Sequence, residues 1–176
     1  MVGGDSETDF EKLYERAFAP LMRILVRMVG SAEAAEDICQ EVFIKLHERT
    51  AGFPKPEEAL YWLIRVAKNM ALNHEKRKGR EAKAYKKSLD STRGKGRESG
   101  EEAVLKDEAF RRVQEALLRL PKKLREVLIL KEYGEFSYKE IAAILKTSEG
   151  NVKVRAYRAR EWLAGFFKNS EEIHVP

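Results

Sequence analysis

Between positions 61 and 77, large rings, cations and amides recur at helical spacing. Trp62, Arg65, Asn69, Asn73 and Lys76 share one stripe of a helical wheel, with Tyr61 and Lys68 beside it. Rings offer stacking surfaces, cations neutralise phosphates and amides bond base edges, which together are what an unstacked single strand of nucleic acid requires. Packing of Trp62 and Tyr61 against the N-terminal helix is the alternative use of those rings. Phe53, in Gly52-Phe53-Pro54, suits either a further stacking ring or a loop anchor.

A second surface lies at residues 137–163, SYKEIAAILKTSEGNVKVRAYRAREWL. Ser137 and Glu140 form an S-x-x-E capping box that starts a short helix, with Ile141, Ala142, Ile144 and Leu145 on its buried side. Ser148 caps the next helix, whose Val152, Ala156, Ala159, Leu163 and Phe166 face inward. That leaves Asn151, Lys153, Val154, Tyr157 and Arg158 outside. Two short helices about a tight polar turn, the second with an exposed basic face, describe a helix-turn-helix aimed at the major groove of duplex DNA. Lys153 and Arg158 suit phosphates or guanine edges, Asn151 a base or phosphate, and Val154 or Tyr157 thymine methyls.

The charge distribution agrees with these surfaces. Residues 65–97 hold 12 basic and 3 acidic side chains, a net +9, whereas residues 1–64 hold 7 and 12, a net −5. Basic charge is thus gathered where nucleic-acid contact is expected. Other classes are disfavoured. The single Cys39 excludes an internal disulfide, and His47, His74 and His174 make no metal-ligand spacing. Neither a cofactor nor a metal is expected. There is no recognisable nucleophile-base pair, paired-carboxylate pattern or phosphate loop, so the chain is not read as an enzyme. No apolar run reaches membrane-span length and the N-terminus lacks a signal-peptide pattern, which points to the cytoplasm.

Apolar spacing predicts an all-α chain of two small helical domains. In the first helix Phe10, Leu13, Tyr14, Ala17, Phe18, Leu21, Leu25 and Met28 follow helical period, and Pro20 is expected to kink or split it. Gly30 and Ser31 stop that helix and cap the next, residues 32–49. Here Ala35, Ile38, Cys39, Val42, Phe43 and Leu46 form the core face. Opposite them, among Asp37, Gln40, Glu41 and Glu48, Ile44 points outward, either as an ordinary exposed side chain or as an anchor for a partner helix. A loop at 50–56 leads into a long helix at about 57–80, with Leu60, Leu63, Ile64, Ala67, Met70 and Ala71 inward. Residues 81–102 are poor in apolar side chains and read as a flexible basic linker. Helices at 103–120 and 122–133 then precede the helix-turn-helix, with breaks at Pro121 and Gly134.

Taken in order, AEDICQEVFIKLHER, YWLIRVAKNMALNHEKRK, LRLPKKLREVLILKEYGEFSYKEIAAIL and GNVKVRAYRAREWL resemble the extracytoplasmic-function class of bacterial sigma factors, within the sigma-70 family, over about residues 10–167. The resemblance implies a subunit that directs core RNA polymerase to promoters and helps melt them, without catalysis of its own. It implies sigma region 2 at 1–83, a linker at 84–102 passing through the RNA exit path, region 4 at 103–168 and a tail at 169–176. Asp37, Gln40, Glu41, Ile44 and Lys45 would grip the β′ clamp helices, and region 4 would meet the β flap. Phe53, Tyr61, Trp62, Arg65, Lys68, Asn69, Asn73, Lys76 and Arg77 would open and hold the minus-10 element. Asn151, Lys153, Val154, Arg155, Tyr157 and Arg158 would read the minus-35 element. An anti-sigma factor is a further implied partner.

Two departures accompany the resemblance. Asn73 stands where many relatives have Asp, which alters the donor and acceptor pattern offered to a base. Leu145-Lys146-Thr147 lacks the glycine frequent in this turn, implying slight distortion. The competing reading is a stand-alone helix-turn-helix regulator that binds duplex operators as a dimer; it leaves the Trp62, Asn69 and Asn73 stripe unexplained.

Overall fold

Helical periodicity becomes helices throughout the computed structural model, which describes residues 4–49, 52–89 and 104–172. Seven appear among them: α1 (Gly4–Val29), α2 (Ala32–His47), α3 (Pro56–Leu89), α4 (Val104–Arg119), α5 (Lys122–Glu132), α6 (Tyr138–Leu145) and α7 (Glu149–Glu172). No strand occurs among the described residues. The chain is all-α, as its patterning requires.

Helices α1, α2 and α3 pack on one another, and α5, α6 and α7 form a second group. The first group buries Leu21, Ile24, Leu25, Val42, Leu63 and Ile64 completely. Each such side chain contributes about 1.5–3 kcal/mol over leaving it in water. In the second group Ile129, Leu130, Ile141, Ile144 and Val127 do the same. The groups meet where α3 lies against α6 and α1 against α5. Their buried apolar residues join in one continuous cluster. Gly134 serves this junction: a Cβ there would come within 2.8 Å of the Leu130 carbonyl oxygen and 2.9 Å of Ile24 Cδ1. A larger residue would clash with the Leu130 backbone as well as with the Phe136 and Ile24 side chains.

Three elements differ from their sequence expectation. Pro20 neither splits nor ends α1, which continues as one helix to Val29. Leu21, Ile24, Leu25 and Met28 immediately beyond it are buried. Their burial holds the helix, and the carbonyl that proline leaves unbonded belongs to Arg16, an exposed residue open to water. Helix α3 continues to Leu89, nine residues into the segment expected to be a linker from 81. Its Glu, Lys, Arg and Ala residues are strong helix formers, and Arg77 pairs with Glu81 one turn on at 3.7 Å. Scarcity of apolar residues excluded a core there but not a helix. Residues 90–102 of the expected linker, residue 103 of the helix expected after it, residues 50 and 51 of the loop and residues 173–176 of the tail lie outside the described residues.

The third difference is in the helix-turn-helix turn. The expected distortion is confined to one residue, Lys146, which caps α6 in the left-handed region at φ 52°, ψ 53°. Its N–H bonds the Ala142 carbonyl, and so does that of Thr147 at 3.0 Å. The turn closes normally while Lys146 carries the cost of a conformation that disfavours a Cβ. Lys146→Gly is therefore expected to stabilise the fold by about 0.5–1 kcal/mol and raise the melting temperature by about 1–4 °C. Thermal unfolding followed by circular dichroism checks this; an unchanged or lowered midpoint would remove the strain argument.

Candidate nucleic-acid interface

The end of α2, the turn at 52–55 and the start of α3 enclose an open cleft of about 530 Å³, lined by Arg49, Phe53, Tyr61, Trp62, Arg65 and Ala143 among others. Phe53 and Trp62 stand 5.8 Å apart between ring centroids, tilted by 57°. The Arg49 guanidinium lies over both, 4.4 Å from the Phe53 ring and 5.2 Å from Trp62. Cation–π attraction thus braces the two rings beside the cleft. Phe53 is both an anchor of its turn and a wall of the cleft. Such a site offers an incoming base aromatic faces with a cation close by.

Beyond the cleft the expected stripe divides. Asn69, Asn73, Lys76 and Arg77 are exposed, as the wheel predicts. Arg65 and Lys68 face the second helical group instead, correcting the expectation that the whole stripe meets solvent. Arg65 Nε donates to the Ile144 carbonyl at 3.0 Å and Nη2 to that of Ala143 at 3.2 Å. These carbonyls end α6 and lack partners within it, so the guanidinium supplies a cap where the helix dipole favours a cation. Lys68 pairs with Glu126 of α5 at 3.8 Å, both side chains largely buried. Two turns further, Glu75 accepts from Arg125 at 2.8 Å. Burial pushes the Glu75 carboxyl above its usual range although Arg125 pulls the other way.

The helix-turn-helix is assembled by local bonds. Glu140 N–H donates to Ser137 Oγ at 3.2 Å, and Ser137 N–H to Glu140 Oε2 at 2.8 Å, completing the capping box. Ser148 Oγ accepts from Asn151 N–H at 3.2 Å and so starts α7. Arg160 donates to Glu132 at 2.7 Å and to Tyr138 at 3.2 Å, fastening α7 to α5 and α6. Val152, Ala156 and Ala159 are fully buried. Asn151, Lys153, Val154, Tyr157 and Arg158 project outward, with Tyr157 65% and Val154 49% exposed. Arg155 is half-buried. Lys153 bonds Glu149 at 2.9 Å, and this raises its pKa above the usual lysine value.

On α2 the acidic face stands free of the core. Asp37, Gln40, Glu41, Ile44 and Lys45 are all exposed, and Ile44 is 56% so despite being apolar. Lys45 pairs with Glu41 at 3.4 Å. Cys39 lies on the buried face, where desolvation pushes its thiol up to about 11 and leaves it unreactive at neutral pH. Among the described residues no group of His, Cys, Asp and Glu could hold a metal, and no helix is long and apolar enough to cross a membrane.

Two family descriptions match the chain: Sigma-70 region 2 over residues 13–81 and Sigma-70, region 4 over residues 110–163. RNA polymerase sigma-H factor of Pseudomonas aeruginosa is 35% identical over 149 residues, covering 80% of this chain and 77% of that protein. The ECF RNA polymerase sigma factor SigW of Bacillus subtilis is 32% identical over 151 residues, covering 81% and 80%. The chain is an extracytoplasmic-function sigma factor of the sigma-70 family. It is accordingly an alternative sigma factor, which binds core RNA polymerase and promoter DNA to direct transcription and has no catalysis of its own.

The ECF sigma-E factor of Escherichia coli K12 extends the likeness to 168 residues at 32% identity, covering 90% of this sigma factor and 85% of that one. In fold it is similar to CnrH, solved with the cytosolic domain of CnrY, at a TM-score of 0.67 and 22% identity over 94% of this chain and 91% of that. RpoE of Bartonella quintana, solved with the anti-sigma factor NepR, gives 0.60 and 22% over 92% and 98%.

Sequence reading passed over two features of this sigma factor. Arg49 was absent from the candidate residues because it stands 13 positions before Trp62, and only the folded turn stacks it there. The pairing of Arg65, Lys68 and Glu75 with the second helical group had no local signal either. An excess of cations on one helix tells nothing of which carboxylates will face them.

Proposed function

We propose that the factor carries its promoter-reading and polymerase-binding tasks on three separate surfaces. The exposed face of α7, with Asn151, Lys153, Val154, Arg155, Tyr157 and Arg158, enters the major groove of the minus-35 element. The cleft of Phe53, Tyr61 and Trp62, continued by Arg65, Lys68, Asn69, Asn73, Lys76 and Arg77, captures unstacked bases of the minus-10 element. Asp37, Gln40, Glu41, Ile44 and Lys45 on α2 seat the factor on the β′ clamp helices, with the second helical group toward the β flap. The observation that carries this is the Arg49-braced pair of Phe53 and Trp62 beside an open cleft, a feature a duplex-only reader does not need. Capturing a flipped base offsets an unstacking cost of a few kcal/mol, so melting is driven by binding energy.

In this reading the factor works on core polymerase in the cytoplasm. An anti-sigma factor is a further partner in this reading, supported by the like fold of RpoE from Bartonella quintana, solved with NepR. The decisive experiment is run-off transcription with the purified chain and bacterial core polymerase across a library of promoter fragments, with core alone as control. Start sites that appear only with the chain are expected. Failure to bind core, together with a shift of duplex DNA by the chain alone, would replace this reading with that of a free-standing regulator.

Arg158→Ala separates the minus-35 surface from the rest. It is expected to weaken minus-35 recognition by about 1–3 kcal/mol, with affinity for core polymerase unchanged. Competition between promoter fragments with intact and scrambled minus-35 elements measures this, and unaltered selectivity would remove Arg158 from the reading set.

A further inference from the structure

Helix α7 opens on a carboxylate that the minus-35 set above leaves out. Glu149 is its first residue, and the side chains of Glu149 and Lys153 are 47% and 58% exposed. With Tyr157 they fall at i, i+4 and i+8, so all three share one exposed column of the helix beside Val154. The first turn of a recognition helix is the part that meets base edges. A bare carboxylate there would oppose the phosphates lining the groove, a cost that a purely cationic face avoids. Glu149 is not bare: its Oε1 lies 2.9 Å from Lys153 Nζ. Nor is it needed as a cap, because Ser148 Oγ already accepts from the Asn151 N–H.

An acceptor and a donor held 2.9 Å apart match the centre of a base pair. In the major groove guanine presents O6 and cytosine its N4 amino group, and a Watson–Crick N–H···O bond of about 2.9 Å joins those two atoms. An ammonium over O6 and a carboxylate over N4 therefore make two charge-assisted bonds at once without parting from each other. A further N–H of Lys153 extends to guanine N7. Turning the base pair round sets the ammonium against the amino group and the carboxylate against the carbonyl, so the match is directional. With the first base on the Lys153 side, T·A repeats the central acceptor and donor but puts a methyl group where N7 was, whereas C·G opposes both side chains.

We propose that Glu149 is a specificity-determining residue of the minus-35 surface: with Lys153 it reads one G·C pair, the guanine on the lysine side and the cytosine on the glutamate side. The inference rests on the minus-35 reading of α7. Lys153 by itself finds acceptors on guanine, adenine and thymine alike, and Glu149 adds the demand for an amino group across the pair. Preference at that base pair runs G·C first, T·A second and C·G last.

The test assembles the full chain with bacterial core polymerase and selects among duplex fragments of a promoter found by run-off transcription, with the minus-35 element randomised. Sequencing bound and unbound fragments gives the preference at every base pair. Glu149→Ala is expected to reduce the preference for G·C over C·G about tenfold at one base pair and to leave the others unchanged. The exchange of Glu149→Lys with Lys153→Glu is expected to invert that preference to C·G. An unaltered profile in Glu149→Ala overturns the proposal, including one accompanied by uniformly tighter binding, which marks a carboxylate that only repels phosphates. Loss at one base pair without inversion in a folded exchange variant overturns it too. Circular dichroism verifies helix content. If the exchange variant loses it, Glu149→Gln, whose amide both accepts and donates, must narrow the gap between G·C and C·G or the proposal is overturned. Arg158→Ala shows where a failure lies: if it lowers minus-35 selectivity while Glu149→Ala does not, only the role of Glu149 fails, and if neither does, the minus-35 reading fails with it.

Discussion

Replacing Ile44 by glutamate is expected to abolish assembly with core polymerase and leave the fold intact. Ile44 is 56% exposed on α2, while its neighbours Phe43 and Leu46 are buried. Among the described residues it is not part of the buried core. A half-exposed isoleucine amid Asp37, Gln40 and Glu41 is the composition of an apolar anchor ringed by polar contacts, where truncation or charge costs about 2 kcal/mol or more, roughly 30-fold in affinity. Glutamate adds a charge that would have to be desolvated against the partner, so the loss is expected to exceed that figure. Competition with the wild-type factor for core polymerase measures it, with the thermal midpoint as control. A folded mutant that competes normally would dismiss the clamp assignment.

Trp62→Ala is the second large effect. Base-on-ring stacking contributes about 1–3 kcal/mol per base, so open-complex formation should fall by about 5- to 150-fold. The substitution also removes a wall of the cleft and one of the two rings beneath Arg49. Phe53 loses its bracing partner with it, which places the expected loss toward the upper end. Binding of duplex minus-35 DNA depends on α7 and should not change. Permanganate reactivity of unpaired thymines reports melting, and an electrophoretic shift of the closed complex reports duplex binding. Equal losses in both would mean that Trp62 serves packing alone; melting at the wild-type rate would remove it from the strand-capturing set.

These two predictions draw on different depths of information. The exposure of Ile44 was legible in the sequence, because a helical wheel with six apolar residues on one side leaves little freedom for the seventh. The same is true of the capping box at Ser137 and of the outward face of α7, where bonds within a few residues decide the geometry. The environment of Trp62 was legible only in part. Its neighbour Phe53 could be suspected from a short aromatic turn, but the cation over both rings comes from Arg49, on the preceding helix.

By itself, then, the sequence determined the all-α character, the helix faces and the family, since each is carried by local periodicity, capping or a linear motif. It misjudged α3, because low apolar content was read as absence of structure where helix propensity and an i,i+4 pair suffice. Of the two outcomes expected at Pro20, a split does not occur, because burial on the following turns outweighs one missing hydrogen bond. Only the tertiary structure decided the partners of Arg65 and Lys68, the bracing of Phe53 and Trp62, and the joining of two helical groups into one core. The physical reason is common to all of these. Periodicity reports which face of a helix avoids water, but not what covers it, and Arg65 meets the Ile144 carbonyl across 79 positions that no local pattern connects.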